Sequence, residues 1–591
     1  MKRKILLTMV VFLMVFSFLA CDRDNPSGRA ATGAYQVRDP NLTPPGTFPI
    51  VREPITLSVG LPVHIQVSDY YDNMLTKYFE NLLGINLEFA FYDPGNDGLT
   101  RLNLQVASGE PLPDLLYFKG PLGNQARREA FGRAGAIIPL NDLIEHQGVH
   151  TRRAIAQIQS FDYMGIDPWF WGMDSEGVIW GYMLYEQQFS NANSARAVYN
   201  TEFAAALGMD ESQWQGGASA GHRGRIPHWD WFLAYLRGIR DNDVNGNGIM
   251  NDEVPLAGST GWHAHLLGWL QKLHIYSDYT STYSFWMVQN DQLQYTYDKP
   301  EYRDALRTMN MLYRERLWDE SSLTQGNLTA LNGGEWPVIG VGTGGGGAGR
   351  PFPGSLTYMP MGVVEGPTGV ALNSYWLHTP VFPWVISSNS QYPEAAFRFL
   401  DAQGYDDDFA IYPRFGFEGH HWRRSLPHEP GLYGTMGPNI GPVHPYMTEV
   451  VVTWGDNQNV HWRDEFGIDF LNRKASMAWD GDEANGEYRL GLNVQQIFPF
   501  TPAEFPIHVV YTSAENERWD QTRVEVLNYV TQSRALFATG QMDVEREWDS
   551  YLDTLRRMGA NDLLAVDQAA YARLRAATTR MWGPPPSAGD R

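Results

Sequence analysis

Three things are scarce in this chain. It has one cysteine, Cys21, in 591 residues. Disulfides, thiolate metal sites and a cysteine nucleophile within a fold are thereby excluded. No cluster of Lys and Arg follows Lys4, and the formal net charge is −22. A nucleic-acid partner is not expected from such a chain. Long apolar runs are also missing: the one candidate, Ile5–Ala20, is shorter than the roughly 20 residues that span a bilayer as a helix. A chain without cross-links must be held by its apolar core. Its length suits two to four domains, or two large lobes.

The apolar run follows Lys2, Arg3 and Lys4 and ends at Cys21. A basic start, an apolar stretch and small residues at the cut make an export signal. Phe18-Leu19-Ala20-Cys21 resembles a bacterial lipobox, with Phe18 where Leu is usual. That resemblance implies a signal peptide at 1–20 and lipid on the sulfur of Cys21. The protein would then be exported and held at a periplasmic or cell-surface membrane face. Residues 21–54 are rich in Gly, Pro and polar residues without periodicity, as in a flexible tether.

Beyond the tether the apolar pattern alternates between periods of two and near four. Ile55–Val67 reads as a strand, Met74–Leu83 as a helix and Ile85–Phe91 as a strand. Leu102–Ser108 is helical, and Asp114–Phe118 is a strand. This β-α-β-α-β order predicts a parallel sheet with helices on its faces. Further helices are expected at Phe203–Leu207, Trp229–Arg240, Glu301–Leu317 and Pro393–Leu400. A hairpin is expected at Trp286–Tyr297, a strand at Val381–Ile386, and helices through most of Gln521–Arg580. Residues 581–591 read as a disordered tail.

The sharpest local signal runs from Asp241 to Glu253. Counted from Asp243, oxygen-bearing side chains fall at places one, three and five (Asp243, Asn245, Asn247). Gly248 is sixth, where an EF-hand-type loop turns sharply, and Ile249 is seventh, where a backbone carbonyl is the ligand. Asn251, Asp252 and Glu253 can supply the closing oxygens. The expected ion is calcium, in a structural role. Val254 stands at the twelfth place, so this is not a standard EF-hand. The competing reading is a metal-free Asn/Gly turn.

Several segments, in order, resemble the extracellular solute-binding proteins of carbohydrate ABC transporters, in the large lipoprotein branch. They are Asp243–Gly248 with Asp252-Glu253-Val254-Pro255, Leu104–Asp114, Ala134–Glu145, Tyr302–Leu317, Pro393–Asp401 and Gly416–Trp422. Phe537–Gly540, Trp548–Tyr551, Met558-Gly559 and Ala570–Arg573 complete the series. The resemblance covers about Ile55 to Arg580. It implies a two-lobed α/β fold of the periplasmic-binding-protein kind. Each lobe would hold a mostly parallel sheet flanked by helices, joined by hinge crossings. Lobe 1 would comprise 55–170 and about 375–405. Lobe 2 would comprise about 171–374 and 406–580, with the calcium loop at 241–253. The ligand is expected in the cleft, the partners are permease subunits, and the chain is expected to be a monomer.

Ligands of open α/β sheets sit beyond the carboxyl ends of strands. Lys119, after the strand Asp114–Phe118, is a candidate on that ground, as are Asp72 and Asn73 after the first strand. The chain has 20 Trp and 30 Tyr, and aromatic faces stack on the C–H faces of sugars. Trp169, Trp171, Trp262, Trp336, Trp376 and Trp422 are candidates to stack on sugar rings, against core packing for any single one. Lys119 and Arg350 would bear on an anionic sugar. Gly342–Gly347 formally matches a dinucleotide fingerprint, but no helix follows it, and it reads as a loop. His263 and His265, two residues apart, would point to different faces of a helix and do not make a zinc pair with His274. Gly419-His420-His421-Trp422 reads as packing or ligand contact.

Two other functions remain open. A secreted, calcium-stabilised glycoside hydrolase would share the acidity and aromatics, but it needs two carboxyls paired across the sugar. A peptide- or metal-binding surface lipoprotein is the third.

Overall fold

The computed structural model describes residues 39–159, 167–174, 176–184, 197–216, 225–260, 265–277, 285–324, 338–343, 357–374, 380–405, 412, 416–424, 447–448, 457–462, 496–502, 504 and 509–576. The expected signal peptide, Cys21 and the 581–591 tail lie outside them. No helix among the described residues is long and apolar enough to cross a membrane.

The expected opening is present. Strand Thr56–Pro62 leads to helix Met74–Leu83, strand Asn86–Tyr92, helix Asn96–Ser108 and strand Leu115–Tyr117. Asn73 caps the first helix by accepting from the Leu75 N–H, and Gly84 ends it with a left-handed φ of 69°; both are favoured for those ends. Its buried stripe is Leu75, Phe79 and Leu83, spaced by four.

Strand 56–62 lies between 86–92 and 115–117 and is parallel to both. Strand Val381–Ile386 runs antiparallel to 115–117, and Tyr182–Leu184 runs antiparallel to 381–386. Leu115 and Tyr117 pack in one core, Leu116 and Phe118 in another. Burial on both faces explains the unbroken apolar run of this strand. The second sheet has the order Tyr358–Pro360, Ala197–Asn200, Ile339–Thr343, Val254–Ala257. Only 339–343 and 254–257 are parallel in it. Both sheets are therefore mixed rather than mostly parallel; in the first, the parallel part is the opening that the helix-strand alternation predicts, whereas the second is chiefly antiparallel.

Helix Trp229–Asp241 packs on the second sheet. A Cβ on Gly340 would lie 2.2 Å from Ile239 Cδ1 and 2.8 Å from the backbone oxygen of Pro255, so this close approach favours glycine. Trp286–Gln289 and Gln292–Tyr295 form the expected hairpin. Asn290 and Asp291 make its turn with positive φ values of 54° and 57°, the sign a two-residue hairpin loop demands. Helix Pro300–Arg314 packs against Ser513–Thr539, which packs against Ala560–Ala576.

Three boundaries differ from the expectation. Residues 39–54 are not a tether: Leu42, Ile50 and Val51 are buried, and the Ile50 N–H donates to Leu83 O at 3.0 Å. Three apolar anchors suffice to dock a segment that is otherwise polar and irregular. Strand 182–184 belongs to the first sheet, not to the second lobe, because it pairs with 381–386. Residues 457–462 attach to the first sheet's leading helix: Met74 and Leu75 donate to Asn459 O and Val460 O at 2.9 and 3.1 Å.

Candidate functional site

Strand direction locates the site. Strands 56–62, 86–92, 115–117 and 182–184 run one way in the first sheet, and 381–386 runs against them. Their carboxyl ends at Pro62, Tyr92, Tyr117 and Leu184 share one edge with the start of 381–386. In the second sheet, Ala257, Thr343 and Pro360 end at the edge where 197–200 begins. The chain passes between the sheets from Leu184 to Ala197 and from Pro360 to Val381. Both passages leave and enter on these two edges. The two sheets thus turn their carboxyl ends toward the same crossings, the position where open α/β sheets take ligands.

Lys119 lies on the first of these edges. It is exposed and opens the short helix Lys119–Gly123 directly after strand 115–117. Asp72 is exposed too, but forms an ion pair with Lys77. Asn73 is fully buried. Its side chain accepts from Leu75 N–H and donates to His461 O at 3.2 Å. It is a structural cap rather than a sugar contact.

Three of the tryptophans are core. Trp169 is 0% exposed, set edge-on to Tyr182 at 5.6 Å and tilted on Phe382 at 6.0 Å. Trp171 is buried beside it on the turn Pro168–Gly172. Trp422 is buried, and its Nε1–H donates to Gly416 O at 2.8 Å. No sugar ring can stack on faces already covered in this way, so the packing reading holds for these three. Trp262, Trp336, Trp376 and Arg350 lie outside the described residues.

Val63, Ile65 and Tyr71 are not among the expected site residues. They follow strand 56–62 and are 46%, 92% and 52% exposed. Val63 and Ile65 directly follow Pro62 at this edge, while Tyr71 lies edge-on to Phe89 at 5.1 Å and accepts from its N–H at 3.1 Å. Val63 and Ile65 continue the alternation that reads Ile55–Val67 as one strand, and the strand ends earlier, at Pro62.

The zinc reading finds no support in the described histidines. His265 Nδ1 accepts from Gly268 N–H at 3.3 Å and caps helix Leu266–Gln271. His274 Nε2 pairs with Thr308 Oγ1 at 2.7 Å, and His421 Nδ1 accepts from Phe417 N–H at 3.0 Å. His263 lies outside the described residues. Among the described residues no group of three or more His, Cys, Asp or Glu is placed to hold a metal. The 243–253 loop instead mixes carboxylates with amide oxygens.

That loop joins helix 229–241 to the amino end of strand 254–257, away from the ligand edge. Asp243 Oδ1 accepts from Gly246 N–H at 2.8 Å, and its Oδ2 accepts from Gly248 N–H at 2.8 Å. Asn245 Oδ1 accepts from Asn247 N–H at 2.9 Å, and Asn247 Oδ1 from Ile249 N–H at 2.8 Å. Alternate side chains are thereby held to the loop's own backbone. Asp252 Oδ1 and Glu253 Oε2 are buried without a hydrogen-bond partner, and burial pushes the Glu253 carboxyl above its usual range. Hard oxygen donors with orphaned anionic oxygens fit a calcium ion.

One other described carboxyl is raised by burial, that of Asp567. It accepts from the hydroxyls of Tyr295 and Tyr511 at 2.6 and 2.8 Å, with Arg523 at 3.6 Å. This network ties the last helix to the hairpin.

No family model and no curated protein matches the chain. Solved structures do. One is the Streptococcus pneumoniae ABC-transporter substrate-binding protein FusA, an EF-hand mutant in complex with fructo-nystose. The match has a TM-score of 0.64 at 17% identity, over 88% of this chain and 99% of that one. A second is an HMO-binding, ABC-transporter-associated solute-binding protein from Bifidobacterium longum infantis, with TM-score 0.63 at 17% identity, over 90% of this chain and 100% of that one. A third is the alginate-binding protein AlgQ2 without calcium ion, with TM-score 0.54 at 15% identity, over 90% and 100%. The chain has the two-lobed α/β fold of these solved structures.

Proposed function

We propose that this protein is the substrate-binding component of an ABC importer for an oligosaccharide or related polar solute. It would capture the solute between its lobes and release it unaltered to permease subunits. The supporting observation is the strand arrangement: both sheets offer their carboxyl ends to the crossings that join them. Neighbours of this fold are described with fructo-nystose or as HMO-binding. The exposed Val63, Ile65 and Tyr71 would meet the sugar's C–H faces, and Lys119 its oxygens. Trp262 and Trp376 follow and precede strands at the same edges in the sequence and remain candidates for stacking. Closure of the lobes would follow from tighter binding in the closed form.

The mature chain would be a monomer, exported and held at a membrane by lipid on Cys21. Lobe 1 would comprise 55–184 with 380–405 and 457–462, and the segment 39–54 would strap onto it. Calcium in the 243–253 loop would fix the far end of lobe 2 and take no part in ligand contact. The function is that of a receptor, not an enzyme.

Thermal-shift screening of the protein against a glycan panel tests this reading. A ligand raises the melting temperature by mass action. At least one oligosaccharide should do so in a dose-dependent way. No shift with any glycan, but a shift with peptides, would replace sugar by peptide as the ligand.

A further inference from the structure

Asparagine precedes glycine twice in quick succession, at Asn245-Gly246 and Asn247-Gly248. The backbone favours glycine at both places, because φ is 73° at Gly246 and 84° at Gly248, where other residues are strained. The pairing carries a chemical liability. Glycine has no side chain to shield its backbone nitrogen, which can attack the side-chain carbonyl of the asparagine before it. Gly246 and Gly248 are exposed and the two asparagines half-buried, so water reaches both pairs. In the reaction, hydroxide takes the glycine N–H proton and the nitrogen bonds to the asparagine Cγ. The side-chain amide nitrogen takes a proton from water and leaves as ammonia, and a cyclic imide remains. Water opens the imide at either carbonyl, giving aspartate or isoaspartate.

One side chain holds both attacking nitrogens. Asp243 Oδ1 accepts from Gly246 N–H and its Oδ2 from Gly248 N–H, each at 2.8 Å. An N–H that donates to a carboxylate is hard to deprotonate, because the nitrogen anion would face a second negative charge with its hydrogen bond gone. The asparagines are engaged as well. Asn245 Oδ1 accepts from Asn247 N–H at 2.9 Å, and Asn247 Oδ1 from Ile249 N–H at 2.8 Å. We propose that Asn245 and Asn247 are deamidation sites kept latent by Asp243, and that they react when the loop opens. Each event turns a neutral amide into a carboxylate. At Asn247 the departing nitrogen is the one that donates to Asp252 Oδ2 at 2.7 Å. The carboxylate that replaces it meets another carboxylate, and like charges repel. A loop that has opened and reacted therefore does not close as before.

Peptide mapping by mass spectrometry tests this on the purified full chain, incubated in alkaline buffer with chelator so that no bound ion holds the loop. Asn245 and Asn247 should react about tenfold or more slowly in the folded chain than in the same chain in urea. Asp243→Asn removes the charge and keeps the shape, and should speed both sites in the folded chain by about tenfold. Asp241→Asn removes a neighbouring charge that bonds Arg240 instead, and should leave both rates within about twofold of the parent. The proposal is overturned if folded and urea-treated chains react alike, if Asp243→Asn reacts no faster than the parent, or if Asp241→Asn speeds the sites as much. Circular dichroism checks that the variants fold. Should Asp243→Asn fail to fold, Asp243→Ser takes its place, and a parent-like rate in it overturns the proposal. Neither sugar nor calcium enters the readout, so the result stands apart from the receptor function.

Discussion

The indole Nε1–H of Trp462 donates to Thr76 Oγ1 at 2.8 Å, joining residues 386 apart in the chain. Thr76 in turn donates to Tyr70 O at 2.6 Å, and the Trp462 ring lies edge-on to Phe89 at 5.2 Å. All three partners belong to the first β-α-β unit. A late segment is thus part of the earliest core. Trp462→Ala should cost about 3–5 kcal/mol, as for other buried aromatics, and Trp462→Phe clearly less. Urea unfolding followed by circular dichroism reads both. Parent-like stability of Trp462→Ala would contradict this docking.

The same segment illustrates what the sequence could convey. Periodicity is a local property, so the β-α-β-α-β opening, the hairpin, helix 300–314 and strand 381–386 were legible within a few residues. Which element a distant loop docks upon is not local. Nothing around Trp462 states that its partner is Thr76. The site was half legible for the same reason. Lys119 could be placed from its strand end. Trp169, Trp171 and Trp422 have the composition of sugar contacts, and only packing separates a covered indole from an open one.

Residues 39–54 lead to a second expectation. A chain beginning at residue 39 should melt like the longer one. A chain beginning at residue 55 should melt at lower temperature, because Leu42, Ile50 and Val51 leave the core. Ile50→Ala alone should cost about 2–5 kcal/mol. Equal melting of the two truncated chains would restore the tether.

Acid should destabilise the fold through His265. Burial, and secondarily the nearby Arg534 guanidinium, push its imidazole down to about 3, against roughly 6.5 in an unfolded chain. Below about 6.5 the unfolded chain takes up a proton that the folded one refuses. The contribution is complete above that value and falls by about 1.4 kcal/mol per pH unit as pH drops toward 3. At pH 5 the loss from this residue is about 2 kcal/mol. His265→Asn keeps an acceptor for the helix cap and should flatten the stability profile between pH 7 and 5. An unchanged slope would place the acid sensitivity elsewhere, with His150 or His274, whose rings burial also shifts downward.

Chelation should lower the melting temperature of the unliganded chain. A site held at a hundredfold its dissociation constant contributes about 2.7 kcal/mol. Restoring calcium should recover the loss, and magnesium should do so poorly, because it demands a tighter octahedral shell. A melt indifferent to chelator would leave the 243–253 loop as a metal-free turn.

Two variants separate ligand contact from packing. Lys119→Ala should lower stability by less than about 1 kcal/mol and weaken glycan binding by about tenfold, the scale of one charged hydrogen bond. Trp169→Ala should cost about 3–5 kcal/mol of stability. The reverse pattern would return Trp169 to the ligand site.

The most direct test is calorimetric titration of the purified protein with the glycan that stabilises it most, followed by mass spectrometry of the recovered sugar. One sugar bound per chain, and regained at its original length, is the result expected of a receptor. Shortened products would contradict it and make the protein a hydrolase.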